Sequence, residues 1–278
     1  MARTLMRFPG GRSKALTLSY DDGVIQDIRL IEIMKEHGLK GTFNLNSGQY
    51  APEDKSLRTH KHRMSLSECR SAYLNSGMEI AAHGLTHPFL EQLPDVLCTQ
   101  EILDDRKNLE RDFECFVRGM AYPWGTYNDR VVSAAKSCGI VYARTTVATE
   151  RFTIPNDWLR MPTTCHHNHP RLMELAEKFL LGNQFGQPYL FFLWGHSYEF
   201  DGNRNWNVIE NFAKTTGNRD DVWYATNIEL HDYVTAYNQL VFRADGTKVF
   251  NPTGITLHFA TLAGTFTVEP NAVAEVRY

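Results

Sequence analysis

The chain is poor in the features that mark several protein classes. Its 278 residues include five cysteines (Cys69, Cys98, Cys115, Cys138 and Cys165), an odd number with no C-x-x-C pair. That argues against a disulfide framework or a cysteine-rich zinc module and points to reduced, mostly buried thiols. No run of about 18 apolar residues occurs, so no membrane-spanning helix is predicted. The first ten residues hold no apolar signal core, which reads as a cytoplasmic protein. Lys and Arg (29) do not outnumber Asp and Glu (32). The one basic cluster, Arg58, Lys61 and Arg63, has acidic neighbours, so nucleic acid is not an expected partner. Internal repeats and low-complexity tracts are missing as well.

What is present suits a globular α/β chain: 42% hydrophobic and 22% charged residues. β-prone runs alternate with helical ones. Strands are predicted at Ala15–Tyr20, Gly41–Leu45, Met78–Ala82, Phe116–Tyr122, Ile140–Arg144, Trp158–Pro162 and Tyr189–Trp194. Helices are predicted at Gln26–His37, from a Ser65-x-x-Glu68 capping box to near Gly77, at Leu93–Phe113, from Asn128 to Gly139, at Arg171–Leu181, Asn207–Thr216 and Ile228–Tyr237, the last capped by Asn227. Such alternation implies parallel strands with crossover helices, and about seven units favour a closed barrel over an open sheet. After Asn238 the pattern becomes short β-prone runs separated by Asp245-Gly246 and Pro252-x-Gly254 turns. The expected organisation is therefore a (β/α) barrel over 1–238 and a small β-rich appendage over 239–278.

Four motifs fall at predicted strand ends, where α/β barrels carry their chemistry. Asp21-Asp22-Gly23 ends the first strand. Adjacent carboxylates repel, so they are costly unless used; the plain alternative is an acidic turn capping the next helix. His83-Gly-Leu-Thr-His87 ends the third. Rings four residues apart on one helical turn face the same way and can chelate a metal; the alternative is one core and one surface histidine. A carboxylate with two neutral imidazoles leaves positions open, as a catalytic metal site does. Ala121-Tyr122-Pro123-Trp124-Gly125 ends the fourth, and a backbone N–H at such a turn can face an oxyanion; an ordinary strand-to-loop turn is the alternative. His196 follows the apolar strand Leu190–Trp194, placed either for proton transfer or for a loop hydrogen bond.

In this order the motifs resemble the polysaccharide deacetylases, the NodB-homology carbohydrate esterases of family 4. The family's T-F-D-D-G matches Ser19-Tyr20-Asp21-Asp22-Gly23 in its last four positions, with Tyr20 in the place of Phe. H-[S/T]-x-x-H matches His83 to His87 with Gly84 in the second place, and R-x-P-Y-G matches Ala121 to Gly125. A terminal L-x-H resembles Trp194-Gly195-His196. The resemblance implies a distorted seven- or eight-stranded (β/α) barrel that hydrolyses an N-acetyl or O-acetyl group on a sugar, oligosaccharide or glycoconjugate. It implies one divalent ion, Zn²⁺ ahead of Co²⁺, Ni²⁺ or Fe²⁺, on Asp22, His83 and His87. Asp21 would be the base toward a metal-activated water, Trp124 N–H an oxyanion donor and His196 the acid.

Departures from the family pattern set further expectations. Ala121 stands where the family carries an arginine that orients the base, and Arg160 is the expected replacement. Asp157-Trp158 resembles the end of another family motif and, with Tyr122 and Pro123, is expected to contact substrate. Trp124, Trp158, Trp194 and Trp206 are candidates for a sugar-stacking wall, of which at most two are expected to serve. Cys165-His166-His167-Asn168-His169 reads as a second metal site, a substrate loop or a solvated loop. His60 and His62 read as surface residues or substrate contacts. Glu199 or Asp201 could orient a ring. Competing functions are hydrolysis of a cyclic imide, ureide or other small amide on the same fold, a silent carbohydrate-binding protein, and an unrelated amidohydrolase barrel. Retention of Asp21 and all three candidate ligands, and Asp-Asp rather than His-x-His on the first strand, favour the deacetylase.

Overall fold

A computed structural model describes residues 4–59, 62–182 and 186–278. After a short strand β1 (Leu5–Arg7), the chain enters β2 (Lys14–Asp21), whose every residue is buried. The parallel strands β3 (Gly41–Leu45), β4 (Glu79–Ala82), β5 (Gly119–Ala121), β6 (Tyr142–Ala148), β7 (Met161–Thr163), β8 (Cys165–His166) and β9 (Tyr189–Gly195) follow. Helices α1 (Asp27–Glu36), α2 (Leu66–Tyr73), α3 (Asp95–Phe113), α4 (Asp129–Ser137) and α5 (Leu172–Leu181) connect most of them. The sheet order is β7-β6-β5-β4-β3-β2-β9-β8, with β10 (Val222–Tyr224) on the early half of β2.

The two ends of this order are one stretch of chain. Met161–Thr163 pairs with β6, while Cys165–His166 pairs with β9 and the intervening Thr164 N–H donates to Phe192 O at 2.9 Å. A single extended segment thus closes the distorted barrel, which matches the architecture implied by the sequence. Leu16, Leu18, Phe43, Met120, Ala143, Phe191 and Leu193 are buried in its wall and core, covered by apolar faces of α1, α5 and α7 (Asn207–Thr216). At about 25 cal/mol per Å² of apolar area removed from water, this burial is the main force holding the strands in register.

Local signals account for most element ends. Ser65 and Glu68 form the reciprocal capping box, and Asn128 accepts the Val131 N–H. Four boundaries differ from expectation. Helix α8 (Asn227–Tyr237) is capped by Thr226 in a box with Glu229, not by Asn227, whose own N–H is spent on Thr42 Oγ1. Helix α2 stops at Tyr73, short of Gly77, and β5 begins only at Gly119, leaving Phe116 89% exposed beyond the sheet. The run Trp158–Arg160 is a 3-10 turn held by Asp157, and extended chain starts at Met161.

Beyond α8, β11 (Val241–Phe242), β12 (Lys248–Phe250) and β15 (Val273–Glu275) make one antiparallel sheet. β13 (Leu257–Thr261) and β14 (Gly264–Val268) make another, whose third strand is β1. Leu5, Met6 and Arg7 pair with Ala260, Phe259 and His258, so the appendage is knitted to the start of the chain. Among the described residues no helix is long and apolar enough to cross a membrane.

Candidate active site

The strand ends β2, β4, β5 and β9 converge on a cavity of about 560 Å³ lined by Asp21, Asp22, His83, His87, Tyr122, Trp124, Trp194, His196 and neighbours. Asp21 is the last residue of β2 and only 2% exposed. A carboxylate that deep survives only with partners. Asn44 Nδ2 donates to its Oδ1 at 2.8 Å, and the guanidinium of Arg144 donates to Oδ2. Burial would raise its pKa; the charges of Arg144, then His83 and His196, outweigh that and hold it at about 2. His83 Nε2 and His196 Nε2 each lie 3.8 Å from the same Oδ2.

Arg144 comes from β6, at the position paired with Ala121 of β5. Its side chain is wholly buried, with its guanidinium carbon 4.6 Å from the centre of the Trp194 ring. A guanidinium thus reaches Asp21 from the strand next to Ala121, at the same level of the barrel. Arg160 does not take that part. It sits at the surface, paired with Asp157 at 2.6 Å and Asp129 at 2.7 Å. Asp157 is occupied in the same way, and Trp158 packs edge-on against His231, so neither reaches the cavity.

Asp22 turns the chain out of β2 with φ 87°. Arg63, from the long loop after β3, holds it: Nη2 donates to Asp22 Oδ1 at 2.9 Å and Nη1 to the Asp22 carbonyl and to Asn46 Oδ1. Asn46 in turn donates to the carbonyls of His83 and Gly84 at 2.6 and 2.7 Å. One arginine therefore ties the end of β2 to the end of β4.

His83 and His87 do not share a helical turn. Gly84 (φ 76°) and His87 (φ 60°) take left-handed conformations and fold the loop back. The rings still converge, with Nε2 of each 3.1 Å from the other. His83 Nδ1–H donates to the Ala121 carbonyl at 2.9 Å, so its Nε2 carries a lone pair into the cavity. Burial lowers both histidines' pKa, with the pull of His83 adding to it at His87, which stands at about 4. Neutral imidazoles beside a carboxylate are the donor set a divalent ion requires, and ligand atoms of Asp22, His83 and His87 lie within 4.8 Å of one another. Asp105, fully buried, fixes the supporting loops by accepting the N–H groups of Ser47 and His83 at 2.8 and 3.0 Å.

His196 donates Nδ1–H to Glu199 Oε1 at 2.9 Å, leaving Nε2 toward Asp21. Burial lowers its pKa, but the Glu199 hydrogen bond and the charges of Asp21 and Asp22 prevail, and it is raised. Trp124 is left-handed (φ 61°) in the turn Pro123–Gly125, stacks on Phe89 and is 58% exposed at the cavity mouth. Pro123 shapes this turn against Gly84, and Tyr122 lines the wall with its hydroxyl on the Leu159 carbonyl at 2.8 Å. Of the four tryptophans considered for stacking, Trp124 and Trp194 line the cavity, whereas Trp206 is nearly buried under Arg29. His62 is bonded to Gln26 at 3.0 Å, and His60 lies outside the described residues. His169 faces Glu150 at 3.4 Å, away from the cavity.

Sequence reasoning overlooked Arg144 and Arg63. Arg144 had one signal: a guanidinium at the end of an otherwise apolar strand must find a buried anion. Arg63 had none beyond its place in a long loop, since its partner is set by how that loop folds.

Residues 8–143 match the family described as "Polysaccharide deacetylase". "Putative polysaccharide deacetylase YxkH" of Bacillus subtilis is 25% identical over 134 residues, 48% of this chain and 45% of that protein. The chain thus spans less than half the length of this curated relative. Among solved structures, a Mycobacterium smegmatis protein described as a putative polysaccharide deacetylase has the same fold (TM-score 0.61, 16% identity, 86% of this chain and 96% of that one). So has a mutant of BA3943 from Bacillus anthracis, described as a CE4 family pseudoenzyme with restored enzymatic activity (TM-score 0.52, 18% identity, 82% and 70%).

Proposed function

We propose that this chain, whose residues 8–143 match the polysaccharide deacetylase family, removes acetyl groups from an N- or O-acetylated sugar or glycoconjugate by metal-dependent hydrolysis. The observation that carries this reading is Asp21 Oδ2, set between the candidate metal ligand His83 and the candidate acid His196 at 3.8 Å from each. A divalent ion held by Asp22, His83 and His87, Zn²⁺ foremost, would supply Lewis acidity, lowering the pKa of water within its reach and polarising an acyl carbonyl.

The protein's own groups do the rest. Asp21, a carboxylate at every physiological pH, accepts the proton of the attacking water. Arg144 fixes which oxygen of Asp21 faces the cavity. His196, kept protonated by Glu199, donates from Nε2 to the departing amine or alcohol. Trp124 offers its N–H at the turn and its exposed face to a sugar ring, as aromatic side chains do for amphipathic ligands.

A BA3943 mutant of similar fold is described as a CE4 family pseudoenzyme, so the fold by itself does not establish the activity. Here Asp21 and the three candidate ligands are all in place, which favours an active enzyme over a silent sugar binder. The test is acetate release from a panel of N- and O-acetylated sugars by metal-stripped and Zn²⁺-reloaded protein. Asp21→Asn, still binding Zn²⁺, should lose at least a hundredfold in rate, in the range general-base removal costs. Release by stripped protein, or undiminished release by Asp21→Asn, would refute the proposal.

A further inference from the structure

His196 has two faces. Its Nε2 looks to Asp21; its Nδ1 looks the other way, to Glu199, on which a second set of ligating groups converges. Glu199 Oε2 accepts Asn168 Nδ2 at 2.7 Å and lies 3.4 Å from His166 Nε2 and 3.1 Å from His167 Nε2. His167 is wholly buried, sandwiched by the Tyr20 and Phe200 rings, and leaves room only for glycine at position 195, where a Cβ would fall 2.0 Å from His167 Nδ1. Neither ring nitrogen of His167 makes a side-chain hydrogen bond of regular geometry among the described residues. Three donors crowd the two lone pairs of Glu199 Oε2, and His167 Nδ1, buried without a partner among the described residues, calls for an explanation.

Ligand atoms of His166, His196 and Glu199 lie within 4.8 Å of one another, a spread that one ion can draw together. We propose that these three residues, with His167 as the adjacent fourth donor, form a second divalent-cation site, and that loading it silences His196. Imidazoles with a single carboxylate select a borderline ion such as Zn²⁺, Ni²⁺ or Co²⁺ over Mg²⁺ or Ca²⁺. An ion on Nδ1 takes the place of the proton that Glu199 now accepts, and the ring can no longer become an imidazolium. This inhibitory consequence rests on the reading of His196 as the proton donor; the site itself does not. Loading costs two local hydrogen bonds, from His196 Nδ1–H to Glu199 Oε1 at 2.9 Å and from Asn168 N–H to His166 Nδ1 at 3.1 Å, the second because Nδ1 must carry the proton when Nε2 binds an ion. Three or four coordinate bonds outweigh that loss.

The test is equilibrium dialysis of metal-stripped protein against Zn²⁺, with metal content counted by elemental analysis. Wild type should take up two equivalents and His166→Ala one, with an unchanged thermal transition showing that the variant folds. Asp22→Asn should retain the equivalent that His166→Ala loses. Acetate release should fall at least tenfold as the second equivalent loads in wild type and stay level in His166→Ala. A single equivalent in wild type, or a second one that survives His166→Ala, overturns the site. Two equivalents with undiminished acetate release overturn the inhibition. Two equivalents with no acetate release at any loading refute the deacetylase reading and leave the cation site standing.

Discussion

Arg144 stands directly across from Ala121 on the neighbouring strand, and from there its guanidinium reaches Asp21. Because paired positions on adjacent parallel strands lie at one level, an arginine can move from one strand to the next and still serve the same carboxylate. Arg144→Ala is expected to lower acetate release about a hundredfold and to destabilise the fold by roughly 3–5 kcal/mol, since Asp21 would be left buried without its counter-charge. Adding Ala121→Arg to that variant should restore at least part of both, read by kinetics and denaturant melts. Arg160→Ala should change the rate less than twofold.

The link from Arg63 through Asn46 to the His83 loop predicts a metal-affinity effect without loss of fold. Partners of metal ligands usually matter by 10–100-fold in affinity. Arg63→Met is expected to weaken Zn²⁺ binding within that range in a chelator competition, while His83→Ala abolishes it. Unaltered affinity in Arg63→Met would show that Asp22 is oriented by its backbone alone.

The acid limb and the basic limb of the pH profile should have different owners. His196 must be protonated to donate, and Glu199 raises its pKa, so rate falls on the alkaline side once His196 loses its proton. Glu199→Gln removes that support and should move the alkaline limb to lower pH. An unmoved limb would mean another group sets it.

Asp27 gives a stability prediction away from the chemistry. It is fully buried and accepts Ser197 and Tyr73 hydroxyls, each at 2.5 Å, and the Val24 N–H at 3.1 Å. Burial raises its pKa from 3.8 to about 7, against the lowering effect of those donors. The unfolded chain therefore ionises first. The stability this group contributes is complete below about pH 4 and is lost as pH rises to about 7, a fall of up to roughly 4 kcal/mol. Urea melts from pH 4 to 8 should show a shallower slope in Asp27→Asn than in wild type, the buried Glu79 and Asp105, likewise raised to about 7, keeping their share.

Much of the barrel was legible because its evidence is local. The alternation of apolar strands and capped helices needs only neighbouring residues, and the strand-end motifs sit where the chain must leave a buried sheet. Partnerships across the barrel were not legible in the same way. Nothing near Arg144 names Asp21, and the Arg63–Asp22 contact depends on the path of a long polar loop. The spacing of His83 and His87 suggested the right convergence for the wrong reason: left-handed residues fold a loop, where a helical turn had been expected. Arg160 and Trp158 looked suitable by type, but a 3-10 turn carries them to the outside.

The pairing of β1 with β13 has a bearing on how the chain is made. Leu5 and its partner Ala260 lie far apart along the chain, so Leu5 is synthesised long before the residue it pairs with. At 5–20 residues per second, the first strand waits on the order of tens of seconds with its edge open. During that time the barrel between them can already close through Met161–His166 and Tyr189–Gly195. The strand around Ala260 then arrives as a clasp that fastens a strand made long before it.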